Sequence, residues 1–588
     1  MNNKIKFHEF ELDRFQKEAI EAITNNQSVL VSAPTGAGKT IIAEYAIEQC
    51  LVEGRRIIYT APIKALSNQK YREFQTLFPD MVGIITGDVS ISPDAPLLIM
   101  TTEIFKNRIL ENKNSFYGYS WIIFDEIHYL DDVDRGTVWE ESLIFMPDNF
   151  NFIGLSATIP NIKEFADWIR SIHSKEVKVI IETKRPIPLK YYYNCCGKIS
   201  KDINKLRKYG YWKKDKYLSK EDYHLLKDEF KNSYSKTAKL LRSLKKKGRI
   251  PAIYFTFSRK RTEELAKSNS VIDFFNDKKE SDEALKYFDE LCEQFDISDS
   301  DRTKTLRKYI KNGIAYHHAG LLPMQKEVIE QLFSKKMVKI IFTTETFALG
   351  INMPARTVII DDLKKRYNRF VKLIKIRDFS QMSGRAGRRG IDEIGYVYSF
   401  INPFNIKYEE LYHLDTGTPE PVISRFNATY STILNLYETH GENLLEIYKL
   451  SFHYYQTKNK KPSIQYEQMA ARLRVLKKLN YIIDGKLSPK GEFAKKVHGY
   501  GLILSELYAE GILEELDYKE IATLALSIVF EPKPGARMPK IPEIFKNIRF
   551  HTTGSINRIH NCESRYGVKT ISKRCYYDLA TTLSEWMK

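Results

Sequence analysis

The chain has 588 residues and a mass of 68.7 kDa, with 43% hydrophobic residues, 28% charged residues and a formal net charge of +18. Such a length exceeds one hydrophobic core and implies several domains, roughly three to five. With no run of ~20 apolar residues a membrane span is excluded, and six scattered cysteines without a CxxC pair exclude a disulfide framework or a zinc cluster built on such pairs.

The positive balance draws polyanions at long range, nucleic acid being the commonest, although an evenly basic surface accounts for the same charge. The opening MNNKIKFHEFELDRFQ lacks the apolar core of a secretory signal. The expected location is therefore cytoplasmic, or nuclear in a eukaryote. Within it Phe10 offers an aromatic face and Gln16 a carboxamide, suited to stacking on and hydrogen bonding to adenine, or in the case of Phe10 to plain packing.

Ser28–Ser32 is a short β-branched run that reads as a buried parallel strand. It is followed by Ala33-Pro34-Thr35-Gly36-Ala37-Gly38-Lys39-Thr40 and then by a stretch with helical spacing, 41–50. Strand, glycine turn and helix are the context of a phosphate-binding loop. Gly36 and Gly38 let backbone amides close on phosphate oxygens, Lys39 reaches the terminal phosphates, and the Thr40 hydroxyl is placed to ligate Mg2+. The usual pattern has glycine where Ala33 stands.

A second apolar strand, beginning at Trp121, ends in the adjacent carboxylates Asp125 and Glu126. Asp125 is assigned to the metal and Glu126 to the base that orients and deprotonates the attacking water. Downstream, Asp131, Asp132 and Asp134 suggest calcium less than a solvated turn, because the regular ligand offsets are missing. Ser156 and Thr158 sit at another strand end, where a hydroxyl pair also serves as a helix cap.

Residues 200–250 are rich in Lys and Tyr, the mark of a nucleic-acid-binding insert or of a solvated helical face. Residues 277–311 read as helices that decorate the second domain. The pair His317-His318 lacks carboxylate or cysteine partners in the sequence around it and is not read as a metal site. After about 410 the pattern becomes helical, with a short strand-like piece at Tyr481.

The ordered series APTGAGKT, APIKALSNQK (61–70), TTEI (101–104), DEIH, Ser156-Ala157-Thr158, FSRKR (257–261), YHHAGLLP (316–323), TTETFALGINMPARTV (343–358) and QMSGRAGRRG (381–390) resembles the motifs of superfamily-two helicases. DEIHYLDDVDRGTVWEES, HHAGLLP and GINMPAR look more narrowly like the superkiller-type DExH-box RNA helicases, and RFNATYSTILNL (425–436), LSFHYYQ (450–456) and the segment 486–516 extend the likeness over nearly the whole chain.

That resemblance implies an α/β fold class: two RecA-like parallel-sheet domains at 1–180 and 181–405, then a winged-helix module at 406–495 and an α-helical bundle at 496–588. It implies that ATP with Mg2+ lies between the two sheets, and that Gln381, Arg385 and Arg388 reach it from the second. Ser156, Thr158 and His128 would couple hydrolysis to unwinding. Lys64, Asn68, Thr102 and Glu103, with Ser258, Arg259, Thr343 and Thr344, would face the bound strand. A strand-separating hairpin is expected within 361–378.

The implied partner is RNA, single-stranded or with a 3′ overhang, followed 3′ to 5′ by a monomeric motor without membrane contact. A ribonuclease or adaptor protein is a further partner. The short link 457–465 stands where exosome-associated members carry an arch, so recruitment through an arch is not expected. The bundle reads as shortened at Lys588, or as completed by a partner. The competing readings are a DNA helicase of repair or recombination and an ATP-gated RNA clamp.

Overall fold

The computed structural model describes residues 6–586 except 8–9, 113, 133–134, 196, 209–232, 348–352, 368–369, 404, 427–428, 458–463, 498, 531, 533–542 and 570–571. Asp134, the centre of the Lys/Tyr-rich stretch, the GIN of the 343–358 motif and most of the short link therefore lie outside the described residues.

Apolar strands with no polar face can be covered only on both sides, and that is how they are used. The first domain is an eight-stranded sheet in the order Val177–Ile181, Ser28–Ser32, Asn151–Ser156, Tyr119–Asp125, Arg56–Ala61, Leu97–Thr101, Val82–Ile85, Ser90–Ile91. All neighbours are parallel except the last pair. The runs Val29 to Val31 and Trp121 to Phe124 are buried on both faces, as parallel sheets with helical crossovers require. Phosphate loop, carboxylate pair and Ser156 all fall at carboxyl ends of adjacent strands, where open α/β sheets place ligands.

A seven-stranded sheet forms the second domain in the order Lys198–Ser200, Leu189–Cys195, Gly395–Ile401, Thr357–Ile360, Ala252–Thr256, Ile340–Thr344, Ile314–His317. Only its first pair is antiparallel. The two sheets are RecA-like domains joined by residues 182–188. The helices Lys278–Gln294 and Asp301–Ile310 do more than decorate the second: Ala284, Phe288, Leu291, Leu306 and Ile310 are part of its core. So are Leu411 and Leu414 of the helix Tyr408–Thr416, whose Asp415 accepts from the Tyr193 hydroxyl. The C-terminal module thus begins after this helix rather than at 406.

Strands Lys364–Tyr367 and Phe370–Leu373 pair antiparallel as a hairpin standing off the second sheet. Beyond it, the helices Tyr430–His440, Ile464–Lys478 and Pro489–Lys496 surround the small hairpin Ile482–Ile483 with Lys486–Leu487. This module shares a continuous core with the first domain. Phe452 meets Phe165 and Trp168 at ring distances of 5.4 and 5.0 Å, and Trp168 Nε1 donates to Leu450 O at 2.8 Å. Buried Glu140 accepts from Ser424 Oγ (2.6 Å) and from the Phe452 and His453 amides (2.6 and 3.3 Å). The last helices, including Lys546–Arg565, enclose a small core of their own around Leu507, Phe545, Ile548 and Ile556.

Candidate active site

The loop after Ser32 turns at Gly36 (φ +82°) and Gly38 (φ +92°), a left-handed backbone that glycine adopts without strain. It leads directly into the helix Thr40–Val52, so free amides and the positive end of the helix dipole face one point. Gln16 is fully buried. Its Oε1 accepts from Asp13 N (2.8 Å) and its Nε2 donates to Gly38 O (2.9 Å), so the carboxamide expected on adenine braces the loop here. The Phe10 side chain lies outside the described residues. Lys39 donates to Ala33 O (2.9 Å); burial lowers its pKa, opposed by Glu126 and Asp125.

Asp125 ends its strand with Oδ2 accepting from the Tyr59 hydroxyl at 2.5 Å. Glu126 follows in the left-handed region (φ 58°). Burial, then the neighbouring Asp125, pushes its carboxyl up to about 7. Its Oε2 is 3.4 Å from His128 Nδ1, a nitrogen that already accepts from Ala157 N (3.3 Å). Burial keeps that imidazole neutral. Glu126 Oε2 is thus buried without a hydrogen-bond partner among the described residues. His128 joins the carboxylate turn to the Ser156–Thr158 segment, where Ser156 Oγ donates to Ala157 O at 2.8 Å.

From the second sheet, the helix Ile376–Ser383 and the loop after it form the opposite wall of a cleft of ≈ 850 Å³ lined by Thr35, Gly36, Lys39, Thr40, Asp125 and Glu126 on one side and Gly384, Arg385, Arg388 and Arg389 on the other. Arg385 is buried, and its charge interacts with Glu126 and Asp125 across the cleft. Gln381 is buried with its Nε2 unpartnered among the described residues. Arg388 lines the cleft, but Asp392 holds its guanidinium in a two-pronged pair at 2.7 and 2.9 Å, turned from the role of a free donor. Arg389, the member of the run with the least assigned to it, bonds the phosphate loop at Ala37 O (3.0 Å) and pairs with Asp13 at 2.9 Å.

The donor set fits magnesium with a nucleotide: Thr40 and Asp125 line the same cleft as a positive-φ amide cradle, Lys39 and a lone buried carboxylate oxygen. Three further residues support it. Tyr59 orients Asp125. Arg185, between the sheets, donates to Gly384 O (2.8 Å) and Ala386 O (2.5 Å) and lies against Gly36. Gly384 itself is required by proximity, since a Cβ there would stand 2.6 Å from Thr35 Cβ. Gly384 stands in the QMSGRAGRRG motif, whereas Tyr59 and Arg185 lie outside the motif series.

A second groove of ≈ 480 Å³ lies between the same domains, lined by Lys64, Glu103 and Arg135 on one side and His317, Lys326 and Thr346 on the other. Lys64 pairs with Asp88 at 2.7 Å and Asn68 is exposed. Arg259 is exposed, and Ser258 caps its helix by accepting from Arg261 N. Thr344 Oγ1 bonds Thr346 Oγ1 (3.0 Å) at the rim. Thr102 and Thr343, expected to face the strand, are buried, with hydroxyls donating to Ala61 O (3.5 Å) and Thr344 O (3.3 Å). Thr101 lines the groove in place of Thr102. His317 and His318 each pair with their own carboxylate, Glu330 (2.8 Å) and Glu263 (3.0 Å).

Asp131 overturns the solvated-turn expectation. It is 3% exposed and meets Lys375 (3.0 Å), Arg377 and Arg425 (3.3 Å).

Family models match three parts of the chain. The DEAD/DEAH box helicase family matches residues 13–165, the helicase conserved C-terminal domain 235–390, and the DSHCT (NUC185) domain 484–588. The "mRNA transport homolog 4" of Caenorhabditis elegans is 39% identical over 474 residues, 78% of this chain and 46% of that protein. Human "Exosome RNA helicase MTR4" is 40% identical over 473 residues (77% and 44%), and human "Superkiller complex protein 2" 38% over 490 (79% and 39%). The chain spans less than half the length of these three relatives. No described helix is long and apolar enough to cross a membrane.

Proposed function

Because this chain belongs to the superkiller-type DExH helicases of superfamily two, we propose that it is an ATP-driven motor that moves 3′ to 5′ along single-stranded RNA and unwinds duplexes in RNA processing or decay. The observation that carries this reading is the placement of Glu126 and Arg385 on different sheets, facing each other across one cleft while a second groove crosses the same interface.

The phosphate-loop amides and Lys39 receive the phosphates of ATP. Thr40 and Asp125, the latter oriented by Tyr59, would hold magnesium, which would supply neutralising charge to the phosphates. Glu126 accepts the proton of the attacking water on its unpartnered Oε2, for which a pKa near 7 is suited. Arg385 meets the charge that develops on the transferred group, a role worth ~10³ to 10⁵ in rate for an arginine finger. Hydrolysis then depends on closure, and closure on how the strand lies across both domains. His128, between Glu126 and the Ser156–Thr158 segment, carries that dependence into the first sheet.

Exposed Arg259 and Asn68, with Lys64 at the groove, contact phosphates and sugars, so binding is largely independent of sequence. The hairpin Lys364–Leu373 separates the strands. The names of the relatives favour RNA as the track and decay as the setting, with a ribonuclease or adaptor as partner in the cytoplasm or nucleus. ATP turnover measured without polymer, with single-stranded RNA and with DNA of the same sequence tests the proposal, using Glu126→Gln as background. Selective stimulation by RNA is expected. Equal stimulation by DNA refutes the RNA assignment, and residual turnover in Glu126→Gln refutes the base.

A further inference from the structure

Five residues after Glu126, the short turn Ile127–Asp131 ends in a carboxylate that the chemistry above does not use. Asp131 is almost fully buried, and cations from two other parts of the chain converge on it. Arg377 Nη2 pairs with its Oδ2, Lys375 Nζ reaches the same oxygen at 3.0 Å, and Arg425 Nη2 lies 3.3 Å from Oδ1. Arg425 Nε also points to the Asp131 carbonyl at 3.4 Å. Arg377 is 7% exposed, and its Nη1 has no hydrogen-bond partner among the described residues. Asp131 is the carboxylate that pairs with it directly; Asp378 interacts with its charge, and Glu420 is engaged with the Ile376 and Arg377 amides (2.8 and 3.1 Å).

The partners matter because of what their elements carry. Lys375 and Arg377 open the helix Ile376–Ser383, which holds Gln381 and delivers Arg385 two residues beyond its end. Arg425 opens the C-terminal module, next to Ser424, whose hydroxyl bonds buried Glu140 of the first domain. A short rigid path thus runs from Glu126 through the turn to Asp131, across the domain boundary to Arg377, and along one helix to Arg385.

We propose that Asp131 is a positioning residue, a three-way latch that sets Arg385 against Glu126 by tying the hydrolytic turn to the helix of the second domain and to the first residues of the C-terminal module. This rests on the ATP-driven reading given above. Separating the two domains at this point parts Asp131 from Arg377 and Lys375 and leaves it to Arg425, so the full set of pairs exists only in the closed arrangement. The latch touches neither the phosphate loop nor its lysine. Its loss acts on turnover and leaves nucleotide affinity alone.

Full-length Asp131→Asn, Arg377→Met and the double variant are compared with the unsubstituted protein for kcat and KM of ATP at saturating single-stranded RNA. Asp131→Asn is expected to lower kcat about tenfold with KM within about twofold. The double variant is expected to be no slower than Asp131→Asn alone, because both substitutions break one contact. A scaffold role alone predicts a lower thermal midpoint with kcat per folded molecule unchanged. Unchanged kcat in Asp131→Asn, or multiplied losses, overturns the latch while the motor reading stands; absence of turnover in the unsubstituted protein overturns both. If Asp131→Asn does not fold, the part-exposed Lys375→Met and Arg425→Gln decide, each expected to lower kcat about twofold to threefold at constant KM, and unchanged values in both overturn the proposal.

Discussion

The nucleotide cleft and the groove beside Lys64 lie between the same two sheets, yet their walls differ. The cleft is walled by buried and half-buried groups, several of them held by a second residue: Asp125 by Tyr59, Arg388 by Asp392, the phosphate loop by Gln16 and Arg389. The groove's cations Lys64 and Arg135 are exposed, their pairs with Asp88 (2.7 Å) and Glu103 (3.9 Å) open to solvent, and Arg259 is exposed nearby. Phosphoryl transfer needs a few groups placed to fractions of an ångström, whereas a polymer that must slide needs many weak and interchangeable contacts.

If that contrast holds, single substitutions in the cleft must be far more costly than in the groove. Arg385→Ala has the largest expected effect, a fall in kcat of ~10³ with bound polymer. Stopped or steady-state ATPase assays read it directly, and a loss below tenfold would show that Arg385 is not the donor from the second domain. Gly384→Ala comes next. Its new methyl would press on Thr35 and on the carbonyls of Ser380 and Gln381, holding the walls apart and costing ~10 to 10² in kcat/KM. Unaltered kcat/KM would mean that the two loops separate during turnover.

Proton occupancy gives a third measure. The Glu126 carboxyl is raised to about 7 by burial and by Asp125, and the base must be unprotonated to work. The rate of hydrolysis therefore falls as pH drops through about 7, by ~10-fold per unit below it. Polymer affinity has no reason to follow that limb, and measuring both across pH 5.5 to 8.5 separates cleft from groove.

Legibility followed the same division. Lys39, Thr40, Asp125 and Glu126 are readable because nucleotide chemistry fixes residue type and spacing within short segments, and the alternation of apolar strands with helices is enough to place them on a RecA-like sheet. Tyr59, Arg185 and Asp131 are not readable, because each acts on a partner distant in sequence. Asp131 in particular has the local sequence of a solvated acidic turn, and only the fold brings Lys375, Arg377 and Arg425 onto it. In the groove the difficulty is one of facing. TTEI and TTET do border it, but Thr343 turns inward with the pleat of its strand and Thr102 opens a helix with its hydroxyl on Ala61 O, while Thr101 and Thr346 line the groove.

That inward turn makes the smallest prediction the sharpest test of the groove. Arg259→Ala removes one exposed cation beside the rim and is expected to weaken single-stranded RNA a few-fold at moderate salt. It should do so equally for all sequences, lowering the slope of log K against log salt by ~0.7. Thr343→Val removes a hydroxyl bonded to its neighbour's carbonyl and should leave both affinity and slope unchanged. Fluorescence anisotropy of a labelled oligonucleotide between 50 and 300 mM salt reads both variants. A slope that moves with Thr343 and not with Arg259 would place the strand deeper, against the sheet, and the contrast between a rigid cleft and a forgiving groove would then fail, because both would be built from buried, individually positioned groups.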